Sequence, residues 1–110
     1  MATVKKLLAL TAVAGTAAAV AIPALAASTK TDKVTDRGFS PGSVSIRKGD
    51  SVRWVWSGKK RHQVFQVGGP GHFHSPAHTG SGTFRHRFTT RGTYKFVDPY
   101  SSKYVTIKVK

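Results

Sequence analysis

The chain has 110 residues, with 18 Lys or Arg against four acidic residues, a formal net charge of +14. All four acids are Asp; there is no Cys, Glu or Asn, and the one Met is the initiator. The length fits one domain. The missing Cys excludes disulfides, zinc–thiolate sites, iron–sulfur clusters and a thiol nucleophile, and the missing Asn excludes N-glycosylation.

Residues 1–26 read as a secretory signal peptide. Lys5 and Lys6 form the positive start, Leu7 to Ile22 is apolar apart from Thr11 and Thr16, and Pro23 precedes the small-x-small site Ala24-Leu25-Ala26. The apolar run falls short of the roughly 20 residues a membrane span needs, so cleavage after Ala26 is expected. That leaves 84 residues and, without Lys5 and Lys6, a charge of +12. Residues 27–33 are polar and read as a flexible tail. Residues 34–110 form the predicted domain.

In that domain the apolar pattern has period two. Val44 and Ile46 alternate with Ser and Arg, and Lys48-Gly49-Asp50 makes a turn. Val52, Trp54 and Trp56 share one face of the next strand, and Ser57 to Lys60 turns again. His62 to Val67 reads as one strand, followed by an irregular stretch from Gly68 to Gly82. Phe84, His86 and Phe88 alternate with Arg85 and Arg87. Arg91-Gly92 leads into Thr93–Val97, Asp98-Pro99 opens a loop, and Val105, Ile107 and Val109 mark the last strand. The expectation is all-β: a single antiparallel Greek-key β-sandwich of about seven strands.

This pattern resembles the cupredoxins, the plastocyanin/azurin-like copper proteins. The resemblance rests on Phe39-Ser-Pro41, Val44-x-Ile46-x-Lys48-Gly49-Asp50-x-Val52-x-Trp54, His62-Gln-Val64, Phe73-x-Ser75, Gly82-x-Phe84 and Phe88-x-x-x-Gly92-Thr93-Tyr94-x-Phe96. It implies a two-sheet sandwich with a copper site at one end and electron transfer as the activity. It also implies four ligands. His62 matches the first His, and Asp98 stands at the position of the Cys. The following loop, Pro99 to Lys103, holds neither the second His nor the Met. A carboxylate in place of the thiolate is a hard ligand. It favours Cu(II) or Zn(II) and gives no sulfur-to-copper charge transfer, so any copper held here is non-blue.

The pair His62 and Asp98 therefore has two readings: a divalent-metal site, or a hydrogen bond left where the site was. His86 shares the inward phase with Phe84 and Phe88, as a core histidine or a further ligand. His72, His74 and His78 lie in the long loop, as solvated residues around Phe73 or as an adventitious metal-binding cluster. Lys59, Lys60, Arg61, Arg85 and Arg87 form the candidate surface for an anionic partner, an acidic protein or a cell-envelope polymer. Trp54 and Trp56 are inward in phase, and with export they argue against nucleic acid. No G-x-S-x-G elbow and no obvious carboxylate pair is present, so an enzyme is not expected. The first reading is an exported module binding non-blue Cu(II); the alternative is a metal-free basic adhesion or interaction module.

Overall fold

A computed structural model describes residues 26–110. The signal-peptide reading of residues 1–26 lies outside them except for Ala26. Ten strands follow in order: β1 (Thr29–Thr35), β2 (Gly38–Ser40), β3 (Ser43–Ile46), β4 (Ser51–Trp56), β5 (Arg61–His62), β6 (Phe65–Gly68), β7 (His78–Thr79), β8 (Gly82–Arg87), β9 (Gly92–Asp98) and β10 (Lys103–Val109). They form two four-stranded sheets, β8-β4-β1-β2 and β3-β10-β9-β6, and a small β5-β7 ribbon.

The alternation read from the sequence sets which face is buried. Val52, Trp54 and Trp56 from one sheet meet Ile107, Val109, Tyr94 and Phe96 from the other, with Val34, Val44, Ile46, Val64, Phe88 and Val105 completing the core. Trp54 is its hub, with Phe96 edge-on at 5.2 Å between ring centroids and Phe84 stacked at 6.1 Å. Without disulfides, these apolar side chains hold the two sheets together, each worth about 1.5–3 kcal/mol when fully buried.

The all-β sandwich is as expected, with three corrections. Both sheets are mixed, because β1 runs parallel to β4 and β3 runs parallel to β10. Alternation reports a half-buried strand whichever way its neighbour runs, so it carries no sign of strand direction. The expected strand from His62 to Val67 is split. The Gln63 amide donates to Asp98 Oδ1 and the Val64 amide to Ser75 Oγ, so side chains take the donors a ladder would use.

The third correction concerns residues 27–33, read as a tail. From Thr29 onward they belong to β1, which sits between β4 and β2. Ladder bonds use the backbone, so polar side chains do not prevent pairing. The start of the strand is also pinned from outside. The Ser28 amide donates to Asp50 Oδ1 at 2.9 Å, and the Ser51 amide donates to the Ser28 carbonyl. Asp50 also accepts from the Arg47 amide at 3.0 Å, closing the turn in which Gly49 takes a φ of +97°. These amide donors, Ser28 first, hold the Asp50 carboxyl below the usual range.

In β1 one inward residue breaks the apolar pattern. Asp32 faces the core from β1, in register with Trp54, and is fully buried. Both its oxygens and the Trp54 indole Nε1 lack a hydrogen-bond partner. Burial pushes the Asp32 pKa up to about 7, and the Trp54 N–H draws it back part of the way without reaching hydrogen-bond geometry.

Candidate functional site

At one end of the sandwich three segments converge: the β1–β2 turn, the β4–β5 turn with β5, and the end of β9. Thr35 shapes the first turn by donating its hydroxyl to the Gly38 carbonyl and accepting from the Arg37 amide. Asp36 projects from that turn, and its carboxylate accepts from the Lys59 and Lys60 amides, each at 3.1 Å. The second turn is thereby capped by an acid from the first. His62 follows, 2% exposed, with its carbonyl accepting from Trp56 Nε1 at 3.0 Å.

The His62 ring lies between two carboxylates. Nδ1 is 2.5 Å from Asp98 Oδ2, and Nε2 is 2.8 Å from Asp36 Oδ1. Ionised carboxylates only accept, so satisfying both contacts requires both ring nitrogens to donate and His62 to be an imidazolium. The His62 contact first, then the two amides, hold the Asp36 carboxyl down at about 2. Asp98, 1% exposed, takes four donors. Oδ2 accepts from His62 and from Ser101 Oγ at 2.8 Å. Oδ1 accepts from the Gln63 amide at 3.2 Å and the Tyr100 amide at 3.0 Å. Its lone-pair capacity is filled.

This arrangement does not fit a metal ion. Two ligand atoms around a tetrahedral ion stand about 3.3 Å apart when each bond is about 2.0 Å. The 2.5 Å between Nδ1 and Oδ2 holds a proton. Asp36 lies across the ring and cannot reach an ion at Nδ1. Among the described residues, no three His or Asp side chains are grouped to hold one ion.

The other predicted residues are dispersed. His78 stands opposite His62 in the β5–β7 ribbon, but its ring packs edge-on to Trp56, at 5.2 Å between centroids. His74 stacks on Phe65, with Nδ1 3.0 Å from the Ser75 carbonyl oxygen. His86 stacks on Phe73 at 3.8 Å, and burial lowers its pKa. With exposed His72 it lines a separate cavity of about 270 Å³ beside Phe88 and Tyr94. The basic residues form two groups. Lys59, Lys60 and Arg61 flank His62, where Arg61 Nη1 donates to Thr79 Oγ1 at 3.2 Å and its guanidinium lies over the Tyr100 ring. Arg85 and Arg87 are on the outer face of β8, with Arg87 Nε donating to the Gly49 carbonyl.

Sequence reasoning misses Asp36 when it looks for paired acids only after Phe39. The available signal is scarcity: with four acids in so basic a chain, each has a structural assignment to be found. Gly58 is the other hidden member. A Cβ there would run into the Asp36 carboxylate. Gly58→Ala is expected to push Asp36 off His62 and lower stability by about 1–3 kcal/mol, the range for leaving one buried donor, His62 Nε2, unmet. Urea unfolding followed by tryptophan fluorescence measures it.

No protein-family model and no curated protein matches the chain. Solved structures do. The purple cupredoxin from Nitrosopumilus maritimus aligns over 74% of this chain and 99% of its own, at 20% identity and a TM-score of 0.66. A point mutant of amicyanin in the reduced state aligns over 74% of this chain and 82% of its own, at 19% identity and a TM-score of 0.67. The copper-containing nitrite reductase of Thermus scotoductus aligns over 74% of this chain but only 22% of its own length, at 22% identity and a TM-score of 0.65. At such identities the likeness speaks to architecture, and it agrees with the two-sheet sandwich: the chain has the cupredoxin fold.

Proposed function

We propose that this protein is a small exported binding module on the cupredoxin fold. Its hydrogen-bonded Asp36–His62–Asp98 triad occupies the place of a copper centre, and its basic surface meets an anionic partner. The observation that carries this reading is the saturation of the site. His62 uses both ring nitrogens and Asp98 uses all its acceptor capacity on protein donors. Reversible one-electron transfer at this site has no support in its donor set, which offers no sulfur. A non-enzymatic role accords with a site in which the His62 nitrogens and the Asp98 oxygens are all taken up by protein partners.

A second reading keeps copper. His62 and Asp98 do converge, at the two positions that match cupredoxin ligands, and a Cu(II) ion replacing the shared proton would take both as hard ligands. Electron paramagnetic resonance during a Cu(II) titration decides between the two, run beside Asp98→Asn with circular dichroism to show that the variant is folded. The expected result is weak binding of several equivalents, unchanged by the substitution. One saturable tetragonal species that disappears in Asp98→Asn would overturn the metal-free reading in favour of the second.

A further inference from the structure

The charge of this molecule is almost wholly uncompensated, and the acids show why. Asp32 and Asp98 are buried, Asp36 serves Lys59, Lys60 and His62, and Asp50 serves Ser28 and Arg47. The ion pairs formed among the described residues join carboxylates to His62, and none involves Lys or Arg. Arg61 and Arg87 are at least held by neutral oxygens. Arg53 and Arg85 are held by nothing among the described residues.

These two arginines stand directly opposite each other in the antiparallel β4–β8 pair, both on the outer face. Side chains so placed have Cβ atoms about 4.5–5.5 Å apart, and like charges there repel. Thr31 adjoins Arg53 in the parallel β1–β4 register. Together Thr29, Thr31, Arg53 and Arg85 line a shallow cavity of about 310 Å³.

We infer that Arg53 and Arg85, with the Thr29 and Thr31 hydroxyls, form a binding site for a tetrahedral oxyanion of the phosphate or sulfate class. The inference rests on the anionic-partner reading and names the chemistry and the place. Each guanidinium presents a planar fork that engages two oxygens. A carboxylate has two oxygens and satisfies one fork. A tetrahedral oxyanion has enough oxygens to meet both forks and still accept from a threonine hydroxyl. Its charge also offsets the cross-strand repulsion, so the two arginines are better compensated when the site is filled. The oxyanion comes either free in solution or as a repeating unit along a polyanion, and the same contacts serve both.

The test is ¹H–¹⁵N nuclear magnetic resonance of the protein at low ionic strength, titrated with inorganic phosphate, linear polyphosphate and acetate. Phosphate should give saturable shifts at the Arg53 and Arg85 Nε–H signals and the Thr29 and Thr31 amides, with acetate binding more weakly. Arg53→Gln and Arg85→Gln should each weaken phosphate at least tenfold. Lys108→Gln, an equal charge change on an exposed position of the other sheet, should change it less than twofold. Polyphosphate bound more tightly than phosphate supports the site with a polymer as its source; equal affinity supports it with the free anion. Equal losses in Arg53→Gln and Lys108→Gln, or shifts spread evenly over all the basic residues, overturn the site while leaving the anionic-partner reading. Failure of every anion to bind overturns both.

Discussion

Asp98→Ala is expected to lower the melting temperature by about 15–30 °C, since each kcal/mol shifts a domain of this size by roughly 4–8 °C. Asp98 and His62 are 1% and 2% exposed, and Asp98 accepts four hydrogen bonds. Removing one partner of a buried pair costs about 3–5 kcal/mol, because the other charge is left without compensation. Here the Gln63 and Tyr100 amides and the Ser101 hydroxyl lose their acceptor as well. The loop that Asp98 organises also carries Ser102 at a φ of +60°, held by the Ser102 amide donating to the Asp98 carbonyl.

Asp98→Asn separates charge from shape. Its carbonyl oxygen can still accept from the two amides, and its NH₂ can donate to a neutral His62 whose Nε2 proton remains on Asp36. The expected loss is about 1–2 kcal/mol, the scale of a hydrogen bond to a charged group replaced by a neutral one. Thermal melts read by circular dichroism at neutral pH compare the two variants. Equal small losses from both would mean that the triad does not hold this end of the sandwich together.

How much of this was legible in the sequence follows from what each interaction depends on. The buried faces of β4 and β10 rest on period-two alternation, a local signal, and Val52, Trp54, Trp56, Val105, Ile107 and Val109 all fall where it puts them. The pairing of His62 with Asp98, 36 residues apart, is reached only through the resemblance, since spacing alone says nothing of contact at that range. Asp36 stays hidden because its contacts come from a turn 26 residues away from His62 that has no motif of its own. Strand direction was not legible for β1 and β3, and neither was the pairing of a polar segment. Both depend on the backbone ladder and on a neighbour supplied by the fold. The outer arginines are visible as charges, whereas the direct opposition of Arg53 and Arg85 exists only in the register.

Asp32 supplies the second large effect, and its sign is opposite. The folded carboxyl has a pKa of about 7 against 3.8 for the ordinary group, so folding takes up a proton at pH values between them. Below about pH 4 the group is neutral in both states and contributes no ionisation penalty. As the pH rises from 4 to 7 the unfolded chain ionises freely while the folded one holds its proton, so stability falls; above 7 the penalty is constant. At 1.36 kcal/mol for each tenfold change in proton affinity, the full penalty is about 4 kcal/mol, and relaxation of the surrounding groups on ionisation reduces it to roughly 2–3 kcal/mol. Relieving that penalty makes the advantage of Asp32→Val over the parent about 10–20 °C larger at pH 8 than at pH 4, the gap widening between those values. Asp32→Asn should remove the same pH slope with a smaller net gain, because its amide is still buried without partners. Asp36 and Asp50 act from the acid side: both carboxyls are held low, so their contribution is present above about pH 4 and is lost as the pH falls towards 2. These three carboxyls together stabilise the parent most at about pH 4–5, where Asp32 is still neutral in the fold and the other two are already ionised, while His86, held neutral by burial, opposes them on the acid side. An Asp32→Val variant whose advantage over the parent is no larger at pH 8 than at pH 4 would place the carboxyl in contact with water instead of between Trp54 and the core.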